Sequence, residues 1–256
     1  MKVLNAEETK ELLIRLLKTS FAAAGFGRAV IAMSGGVDSS VSCTLTVNAL
    51  GKEHIYPLLL PYGSLNDAGV SDAREVITTI GIPKEHITII DIAPLVDPII
   101  SLDPFMDNVR RGNVMARVRM ILLYDHAKKR NALVVGTENK TEHLLGYFTR
   151  FGDEASDIEP LRGLYKREVR ALARELGIPG HIITKAPSAG LWEGQTDEVE
   201  FGFTYEDADT ILSLIIDEKR SIDEVAAVGY DRVTVEKVVK RMKDNDFKHR
   251  LPFVAS

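Results

Sequence analysis

Residues 29–33 read AVIAM, and residues 34–40, which follow directly, read SGGVDSS. A short apolar run that ends in turn residues is typical of a buried strand. The next residues, Val41 to Leu50, have the composition of a helix. The stretch therefore predicts a strand, a tight glycine turn and a helix N-terminus, in that order.

The turn between this strand and helix has the chemistry of an anion-binding site. Gly35 and Gly36 allow a sharp turn and a close approach of the backbone to a ligand. The helix N-terminus offers unpaired N–H groups and the positive end of the helix dipole. Further donors are the hydroxyls of Ser34, Ser39 and Ser40. Asp38 would lie beside a bound phosphate, which is favourable when Mg²⁺ lies between them, so we predict a Mg²⁺-nucleotide site.

A turn of this kind can also be purely structural, with serine and aspartate acting only as helix caps. Capping requires one such residue, whereas residues 34–40 contain four beside two glycines, which favours the anion site. A Walker A loop is excluded, because the Gly-x4-Gly-Lys-Ser/Thr spacing and its lysine are absent.

Composition and charge restrict the class of protein. The chain has 256 residues, is 45% hydrophobic and 27% charged, and reads as a globular protein without a membrane span or signal peptide, hence cytoplasmic. A net charge of −5 argues against a nucleic-acid partner. Cys43 is the single cysteine, which excludes a disulfide framework and a cysteine-rich zinc site. The six histidines lack His-x3-His spacing, which disfavours a histidine-based metal site.

Apolar strands alternate with helices along the chain. We expect a first helix from about Ala6 to the Gly25-Phe26-Gly27 break; because these glycines precede the first strand, they are no dinucleotide fingerprint. The other predicted strands are Ile55–Leu60, Ile87–Ile92 and Leu133–Gly136. The other predicted helices are Ser71–Ile80, with Ser71 as its cap, Pro104–Lys129, Lys166–Leu176, Tyr205–Ile216 and Val233–Lys243.

This alternation predicts an α/β fold, a doubly wound (Rossmann-like) parallel sheet flanked by helices, with a C-terminal helical extension. We expect one domain over residues 1–256, with the core sheet at about 28–184 and the helical part at about 185–256. Ligands of such sheets bind beyond the carboxyl ends of the strands. Three polar strand exits should therefore converge: the Ser34 loop, Pro61 to Gly63, and the segment after Gly136.

The segment after Gly136 carries a second group of polar residues. It reads Gly136-Thr137-Glu138-Asn139-Lys140-Thr141-Glu142, followed by Gly146-Tyr147-Phe148-Thr149-Arg150-Phe151-Gly152-Asp153. The first loop resembles the Ser-Gly-Gly-x-Asp-Ser pyrophosphate loop of the N-type ATP pyrophosphatases. The second segment resembles the Gly-Thr-(Asp/Glu) and Gly-(Tyr/Phe)-Phe-Thr-(Lys/Arg)-(Phe/Tyr)-Gly-Asp pattern of the ammonia-dependent NAD synthetases.

Further matches to this family make the resemblance extend from about Ser34 to Pro252. They are Leu60, Pro61, Tyr62 and Gly63; Asn113, Ala116, Arg117, Arg119 and Met120; Pro160, Leu161, Gly163, Leu164, Lys166 and Arg167; and Lys185, Pro187, Ser188 and Ala189. An ordered run of separate motifs is much more specific than one loop.

The resemblance implies a role for individual residues. It implies that Asp38 and Glu142 bind Mg²⁺, and that ATP is the co-substrate. The implied ATP contacts are Ala32, Met33, Ser34, Gly35, Gly36, Val37, Asp38, Ser39, Thr137, Lys166 and Ser188. The implied contacts of deamido-NAD are Arg117, Arg150, Asp157, Phe247 and Lys248. Arg150 replaces a lysine common in the family, and Phe247 stands where the family often has histidine.

The implied reaction is the amidation of deamido-NAD to NAD. The nicotinate carboxylate attacks the α-phosphate of ATP and releases pyrophosphate, after which ammonia attacks the adenylate and releases AMP. Asp38, Glu142 and Lys166 would be catalytic, and Asp153 or Asp157 would accept the ammonia proton. No glutaminase-sized segment precedes the loop, so we expect free ammonia as nitrogen donor. The resemblance also implies a homodimer.

Two other kinds of protein carry a loop of this type. Related amidotransferases and thiolases, such as GMP or tRNA-modifying enzymes, usually carry further domains or cysteines. A non-catalytic nucleotide sensor would keep the loop but has little need of Glu142 or of the segment Thr149 to Asp153.

Overall fold

A computed structural model describes residues 4–250. Its centre is a four-stranded parallel sheet in the order β3-β2-β1-β4. The strands are β1 (Ala29–Ala32), β2 (Ile55–Leu59), β3 (Thr88–Ile89) and β4 (Leu133–Val135). The chain runs outward from β1 through β2 to β3 and then returns to place β4 on the other side of β1. The strand order therefore reverses between β1 and β4.

Twelve α-helices are present within residues 4–250. They are α1 (Ala6–Ala24), α2 (Val37–Leu50), α3 (Asp67–Thr79), α4 (Ala93–Ile100), α5 (Asn108–Arg130), α6 (Lys140–Leu145), α7 (Lys166–Glu175), α8 (Gly180–Thr184), α9 (Asp197–Phe201), α10 (Tyr205–Leu212), α11 (Ile222–Ala227) and α12 (Arg232–Asn245). No helix in this part of the chain is both long and apolar enough to cross a membrane.

Helices cover both faces of the sheet, because successive residues of β1 point to opposite sides. Ala29 and Ile31 belong to a core shared with α1, α2, α3 and α7, whereas Val30 belongs to a second core beneath α4 and α5. All three residues are fully buried. This confirms the predicted doubly wound α/β fold and explains why β1 is apolar without alternation.

The C-terminal helices form a third apolar cluster. Its core includes Phe201, Tyr205 and Val238, and it takes in Leu145 of α6 and Tyr165 just before α7. The predicted C-terminal helical extension is therefore packed against the helices that follow β4. The division of residues 1–256 into one domain stays a prediction.

Several boundaries differ from the sequence predictions. The cap of α3 is Asn66, whose side chain accepts the Gly69 N–H at 3.2 Å, so the assignment of Ser71 as cap is wrong. Helix α2 begins at Val37, which places Asp38 in its first turn. Helix α5 begins at Asn108 rather than Pro104, since Asp107 caps it by accepting the Arg110 N–H at 2.8 Å.

The third strand is shorter than predicted, with two residues in place of six. Beyond it, the Asp91 carboxylate accepts the N–H groups of Gly63 and Ala93, which turns the chain into α4. Five helices are absent from the sequence predictions, because none of them is long enough to show a clear period: α4, α6, α8, α9 and α11. Helix α10 ends at Leu212, and the predicted last turn is a π-helical segment, Ser213–Asp217.

The loop after β1 is pressed against the start of α3. Gly35 has a positive φ of 80°, and a Cβ there would lie 2.7 Å from the Gly69 carbonyl carbon. Gly36 has a φ of −85°, and a Cβ there would lie 3.3 Å from Ser34 Oγ. Of the two glycines, only Gly35 therefore combines a left-handed backbone with neighbouring atoms that leave no room for a side chain.

We predict that Gly35→Ala lowers the free energy of unfolding by about 1–2 kcal/mol or more, because left-handed backbone alone costs that much for a side chain. Gly36→Ala is the matched control and should cost less. Urea unfolding followed by circular dichroism measures both variants. Equal losses for the two variants would contradict the role assigned to Gly35.

Candidate active site

The first part of the site is the N-terminus of α2. Gly36 is its N-cap residue with extended backbone, and within the described residues no side chain caps it. Ser34 Oγ accepts the Gly36 N–H at 3.2 Å and lies 3.1 Å from Ser39 Oγ. Hydroxyl groups of the loop itself therefore hold its conformation. The N–H groups in the first turn of α2 stay available to an anion.

Not every side chain of this loop faces a ligand. Ser40 is fully buried and donates to the Gly36 carbonyl at 2.8 Å, so the expectation that it adds a donor around the anion is wrong. Met33 and Val37 are also buried in the core, whereas Ala32 is half-buried at the end of β1. Contacts of Met33 and Val37 with a nucleotide would therefore involve their backbone.

The second part of the site is an ion cluster around Lys166. Its ammonium lies 2.5 Å from Asp38 Oδ2 and 3.0 Å from Glu142 Oε1. Asp38 comes from α2, Glu142 from α6 and Lys166 from α7, so the cluster joins elements that follow β1 and β4. The structure thus brings together three of the four residues predicted as catalytic, all but Asp153, beside the loop of residues 34–40, which we call the anion loop.

The charge of Lys166 is secured by its two partners. The residue is only 3% exposed, and burial by itself works against its charged form. The carboxylates of Asp38 and Glu142 outweigh that effect and raise the pKa of Lys166 above its usual value. Burial in turn raises the pKa of Glu142, with the Lys166 charge opposing it. We therefore describe Lys166 as an ammonium held between two acidic groups.

Hydrogen bonds at the N-termini of α6 and α7 fix the positions of Glu142 and Lys166. Asn139 is the N-cap of α6: its Oδ1 accepts the Glu142 N–H at 3.0 Å, and the Glu142 carboxylate reaches back to the Asn139 N–H at 3.4 Å. The Lys166 N–H donates to Thr141 Oγ1 at 3.0 Å, and the Arg167 N–H donates to the buried Asp209 at 2.7 Å. Both side chains are thus oriented by the ends of the helices that carry them.

Sequence reasoning missed several residues of this site. Asn139 Nδ2 also donates to Asp38 Oδ1 at 3.0 Å, which ties α6 directly to α2. The Tyr205 hydroxyl lies 3.3 Å from Glu142 Oε1. Asn139 stands three residues before Glu142, so a capping-box search would have found it. The positions of Tyr205 and Asp209 carry no such local signal.

The remaining predicted ATP contacts lie at the same edge. Thr137 lies two residues beyond the end of β4 and is half-buried. Ser188 lies in segment 186–196, which has neither helix nor strand, and its hydroxyl donates to the Gln195 carbonyl at 2.7 Å. Asn66, which contacts the Ser34 carbonyl at 3.4 Å, lies close to Gly190 of this segment. The segment is therefore next to the anion loop.

The predicted deamido-NAD contacts fall into two groups. Arg117 on α5 donates to the Arg150 carbonyl at 3.2 Å, and the Arg150 guanidinium donates to the Arg250 carbonyl. Lys248 donates to the carbonyls of Gly146 and Phe148 at 2.7 and 2.9 Å. These bonds bring the C-terminal segment onto the chain that follows α6. Phe247 is 57% exposed.

The two candidate proton acceptors differ in their contacts. Asp153 Oδ1 accepts the Thr149 N–H at 2.9 Å, and desolvation of the carboxyl raises its pKa, although the residue as a whole is exposed. Asp157 accepts the Val134 N–H at 2.7 Å, and its own N–H donates to the Val134 carbonyl. Asp157 therefore covers the outer edge of β4, which makes Asp153 the better candidate.

A second pair of acidic residues, Glu138 and Glu159, lies in the part of the chain that follows β4. The Glu138 N–H donates to Glu159 Oε2 at 3.2 Å, and Arg162 contacts the two carboxylates at 2.5 and 3.7 Å. Burial raises the pKa of each carboxyl to about 7, with the Arg162 charge opposing it. A buried carboxyl with a raised pKa stabilises the fold most when it is protonated.

The contribution of these two carboxyls to the stability of the protein should therefore be greatest below about pH 4.5, where they are also protonated in the unfolded chain, and should be lost as the pH rises through about 7. We predict that Glu138→Gln and Glu159→Gln each reduce that loss by about 1–3 kcal/mol, since glutamine does not ionise. Melting temperatures between pH 5 and 8 measure the effect. Glu85→Gln, at an exposed turn, is the control; a pH dependence equal to that of the wild type in both buried variants would contradict the assignment.

A group of metal-type ligands also lies outside this site. Asp72 and Glu75 on α3 lie 3.5 and 3.3 Å from His181 on α8. Lys185 pairs with the second oxygen of Asp72 at 2.7 Å. Because a lysine already balances the most buried of these acids, we describe the group as an ion-pair network that fastens α3 to α8.

Known proteins resemble this chain over nearly its whole length. The family model for NAD synthase matches residues 10–252. The NH(3)-dependent NAD(+) synthetase of Fusobacterium nucleatum is 41% identical over 252 residues, which are 98% of this chain and 96% of that protein. The same-named protein of Chlorobaculum tepidum is 40% identical over 95% of this chain and 87% of its own.

Solved structures agree. The NMN synthetase from Francisella tularensis superposes with a TM-score of 0.86 at 34% identity, covering 99% of each chain. The NH3-dependent NAD synthetase from Campylobacter jejuni, in complex with the nitrate ion, gives a TM-score of 0.83 at 30% identity over 99% of this chain and 100% of that one. Sequence, fold and site together establish that this chain belongs to the NAD synthase family.

Proposed function

We propose that this protein is a carbon–nitrogen ligase that makes NAD from deamido-NAD, ATP and ammonia. The observation that carries the proposal is the Lys166 ammonium between Asp38 and Glu142, directly beside the anion loop at the reversal of strand order. A carboxylate-adenylating site needs charge neutralisation around ATP rather than a covalent nucleophile. The relatives named above, with their NH(3)-dependent NAD(+) synthetase names, support the same reaction.

The anion loop and Lys166 would both bind the phosphates of ATP. The N–H groups at the start of α2 would bind the β- and γ-phosphates, which leave as pyrophosphate. Lys166 would turn from its carboxylates to the phosphates and stabilise the charge that develops there. Thr137 and Ser188 lie at the same edge and would contact the rest of the nucleotide.

The acidic groups fit Mg²⁺, the ion we propose as cofactor. Asp38 and Glu142 offer hard carboxylate oxygens to an ion beside Lys166. Asp197 lies one step further away, on the Tyr205 hydroxyl that contacts Glu142. Each oxygen of Asp38 and Glu142 already has a hydrogen-bonding partner, Lys166 or Asn139 among them. Ligation would therefore require Lys166 to move. When bound, Mg²⁺ would neutralise phosphate charge.

The acyl substrate would lie on the other side of the site. The Arg117 and Arg150 guanidiniums, with Lys248, form the basic group nearest the segment after α6, and would bind the phosphates of deamido-NAD. Asp157 and Phe247 stay as further proposed contacts. Asp153 would accept the proton that ammonia loses as it attacks the adenylate carbonyl, since a raised carboxyl pKa suits a general base.

A second candidate is the amidation of the mononucleotide, nicotinate mononucleotide. The structure with TM-score 0.86 is named NMN synthetase, and it is about as similar to this chain as the named NAD synthetase structures. The two reactions share ATP, ammonia and the loop, and differ only in whether the substrate carries an adenylate half.

We expect Mg-ATP, ammonium and deamido-NAD to give NAD, AMP and pyrophosphate in equal amounts. The amounts are measured by chromatography, and nicotinate mononucleotide is tested in parallel. EDTA should abolish turnover, and added Mg²⁺ should restore it. A kcat/KM for the mononucleotide above that for deamido-NAD would select the second candidate, and ADP as product would exclude both.

We also propose that the protein is a homodimer located in the cytoplasm. Large apolar side chains are exposed over one stretch of the chain, on β3, on α4, before α5 and on α5 itself. They are Ile89, Leu95, Ile99, Leu102, Phe105, Val109 and Ile121. A surface of this kind, contiguous in the chain, is typical of a subunit interface.

Light scattering after size exclusion should give the mass of a dimer for the wild type and of a monomer for the double variant Phe105→Glu, Val109→Glu. Both side chains are more than half exposed, so the change should leave the fold intact. Leu12→Glu on α1, also exposed, is the control and should stay dimeric. A dimeric double variant would place the interface elsewhere.

A further inference from the structure

Basic residues precede every strand of the sheet. Arg28 stands directly before β1, Lys52 lies in the turn before β2, Lys84 lies in the turn before β3, and Lys128, Lys129 and Arg130 end α5 before β4. We call these six residues the basic edge. Because the strands are parallel, their amino ends share one edge of the sheet, opposite the edge that carries the candidate active site. Ala29 pairs with both Ile55 and Leu133, so β1, β2 and β4 begin at the same level.

Side-chain contacts join these strand entries into one surface. Arg28 Nη1 donates to the Arg130 carbonyl at 3.2 Å. The Arg130 guanidinium lies 4.7 Å from the centre of the Tyr56 ring on β2. The Tyr56 ring stacks with the His86 ring, which follows the turn of Lys84, at a centre-to-centre distance of 4.4 Å. The contacts therefore lead from the entry of each strand to that of its neighbour.

The charges of the basic edge are not balanced by ion pairs. Within residues 4–250, no carboxylate oxygen lies within 4.0 Å of a side-chain nitrogen of these six residues, although ion pairs are common elsewhere on the chain. Arg28 and the four lysines are exposed, and Arg130 is half-buried. Since the whole chain has a net charge of −5, this concentration of positive charge is a local property of one edge.

Helix dipoles account for only part of this positive charge. Helices α2, α3 and α5 end at the same edge, and the carbonyl groups at each end are equivalent to about half a negative charge. The exposed acids beside the basic edge are Glu53, Glu85 and Asp125. Three acids and three helix ends offset fewer than six positive charges. A net positive potential is left, and it attracts an anionic partner.

The pattern of charges favours one kind of anionic partner. The turns before β2 and β3 read Lys52-Glu53-His54 and Lys84-Glu85-His86, the same three residue types in the same order. Each turn therefore presents a carboxylate next to its lysine. A nucleic acid or an anionic bilayer presents negative charge throughout, which Glu53 and Glu85 repel. A protein segment can present both signs and match the pattern.

We propose that the basic edge is a docking surface for an acidic segment of a partner protein. The carboxylates of that segment pair with the lysines and arginines, and its fewer basic residues meet Glu53 and Glu85. The surface is separated from the active-site edge by about 16 Å, the length of the five residues of β2. The proposal therefore goes beyond the proposed function and does not rest on it.

Two matched double variants test the proposal. Lys52→Glu with Lys84→Glu reverses two charges of the basic edge, both in exposed turns. Lys237→Glu with Lys243→Glu makes the same change of net charge on α12, where both lysines are exposed. None of the four lysines belongs to the Lys166 ion cluster, so both double variants should keep the melting temperature and the turnover of the wild type.

The first measurement is fluorescence anisotropy with a labelled glutamate-rich peptide that carries a few lysines. An RNA oligonucleotide of the same net charge and phosphatidylserine vesicles are tested in parallel. The wild type and the α12 variant should bind the peptide equally well and more tightly than they bind RNA or vesicles. The basic-edge variant should bind the peptide about tenfold more weakly, because each reversal removes an attraction and adds a repulsion. Added salt should weaken binding, since it screens exposed charges.

The second measurement locates the bound peptide. A carbodiimide joins carboxylates of the peptide to lysine amines that contact them, and mass spectrometry identifies the lysines. Cross-links should form at Lys52, Lys84, Lys128 and Lys129. Cross-links found mainly at Lys237 or Lys243 would overturn the proposal.

Three further results would also overturn it. They are no binding of the peptide by the wild type at low salt, equal loss of binding in the two double variants, and tighter binding of RNA or vesicles than of the peptide. The last result would assign the basic edge to another class of partner. Absence of NAD formation would contradict the proposed function and leave the docking surface standing.

Discussion

The ammonium of Lys166, buried between Asp38 and Glu142, is the interaction on which the site depends. Removing three charged groups from water is costly, and mutual attraction offsets that cost only when their remaining hydrogen-bonding atoms are also satisfied. Here Asn139 bonds to both acids, and Tyr205 contacts Glu142. These partners hold the three charges in one geometry, from which Lys166 would turn toward the phosphates of ATP in the proposed function.

The fold explains why these groups meet. Strands β1 and β4 are neighbours although about one hundred residues separate them, and the helices that follow them begin at the same sheet edge. Helix α2 supplies an anion-binding N-terminus with Asp38 in its first turn, whereas α6 supplies Glu142 through its capping box. Lys166 belongs to α7, whose first residues are bonded to Thr141 and to the buried Asp209. Each charge therefore lies at the start of a helix that is itself anchored.

Local chemistry explains which predictions were accurate. Helices α1, α7 and α12 have clear periodicity and came within two or three residues of their predicted ends. Helices α4 and α6 were not predicted, because an eight- or six-residue helix is too short for its period to stand out. The third strand was predicted too long, since its apolar run continues past the point where Asp91 turns the chain. The family itself was recognisable from the order of its motifs.

The sequence by itself determined the fold class and the strand, glycine turn and helix that begin at Ala29, because these depend on residue type and on spacing within one segment. The roles expected of Asp38, Glu142 and Lys166 came from the resemblance to a family. Only the tertiary structure decided that Lys166 lies between the two acids, that Ser40 is buried, that Asp157 covers the edge of β4, and that Tyr205 and Asp197 join Glu142 to segment 186–196. Those facts depend on contacts between residues far apart in the chain, and nothing in a single sequence states which distant side chains will be neighbours once the sheet and its helices have packed.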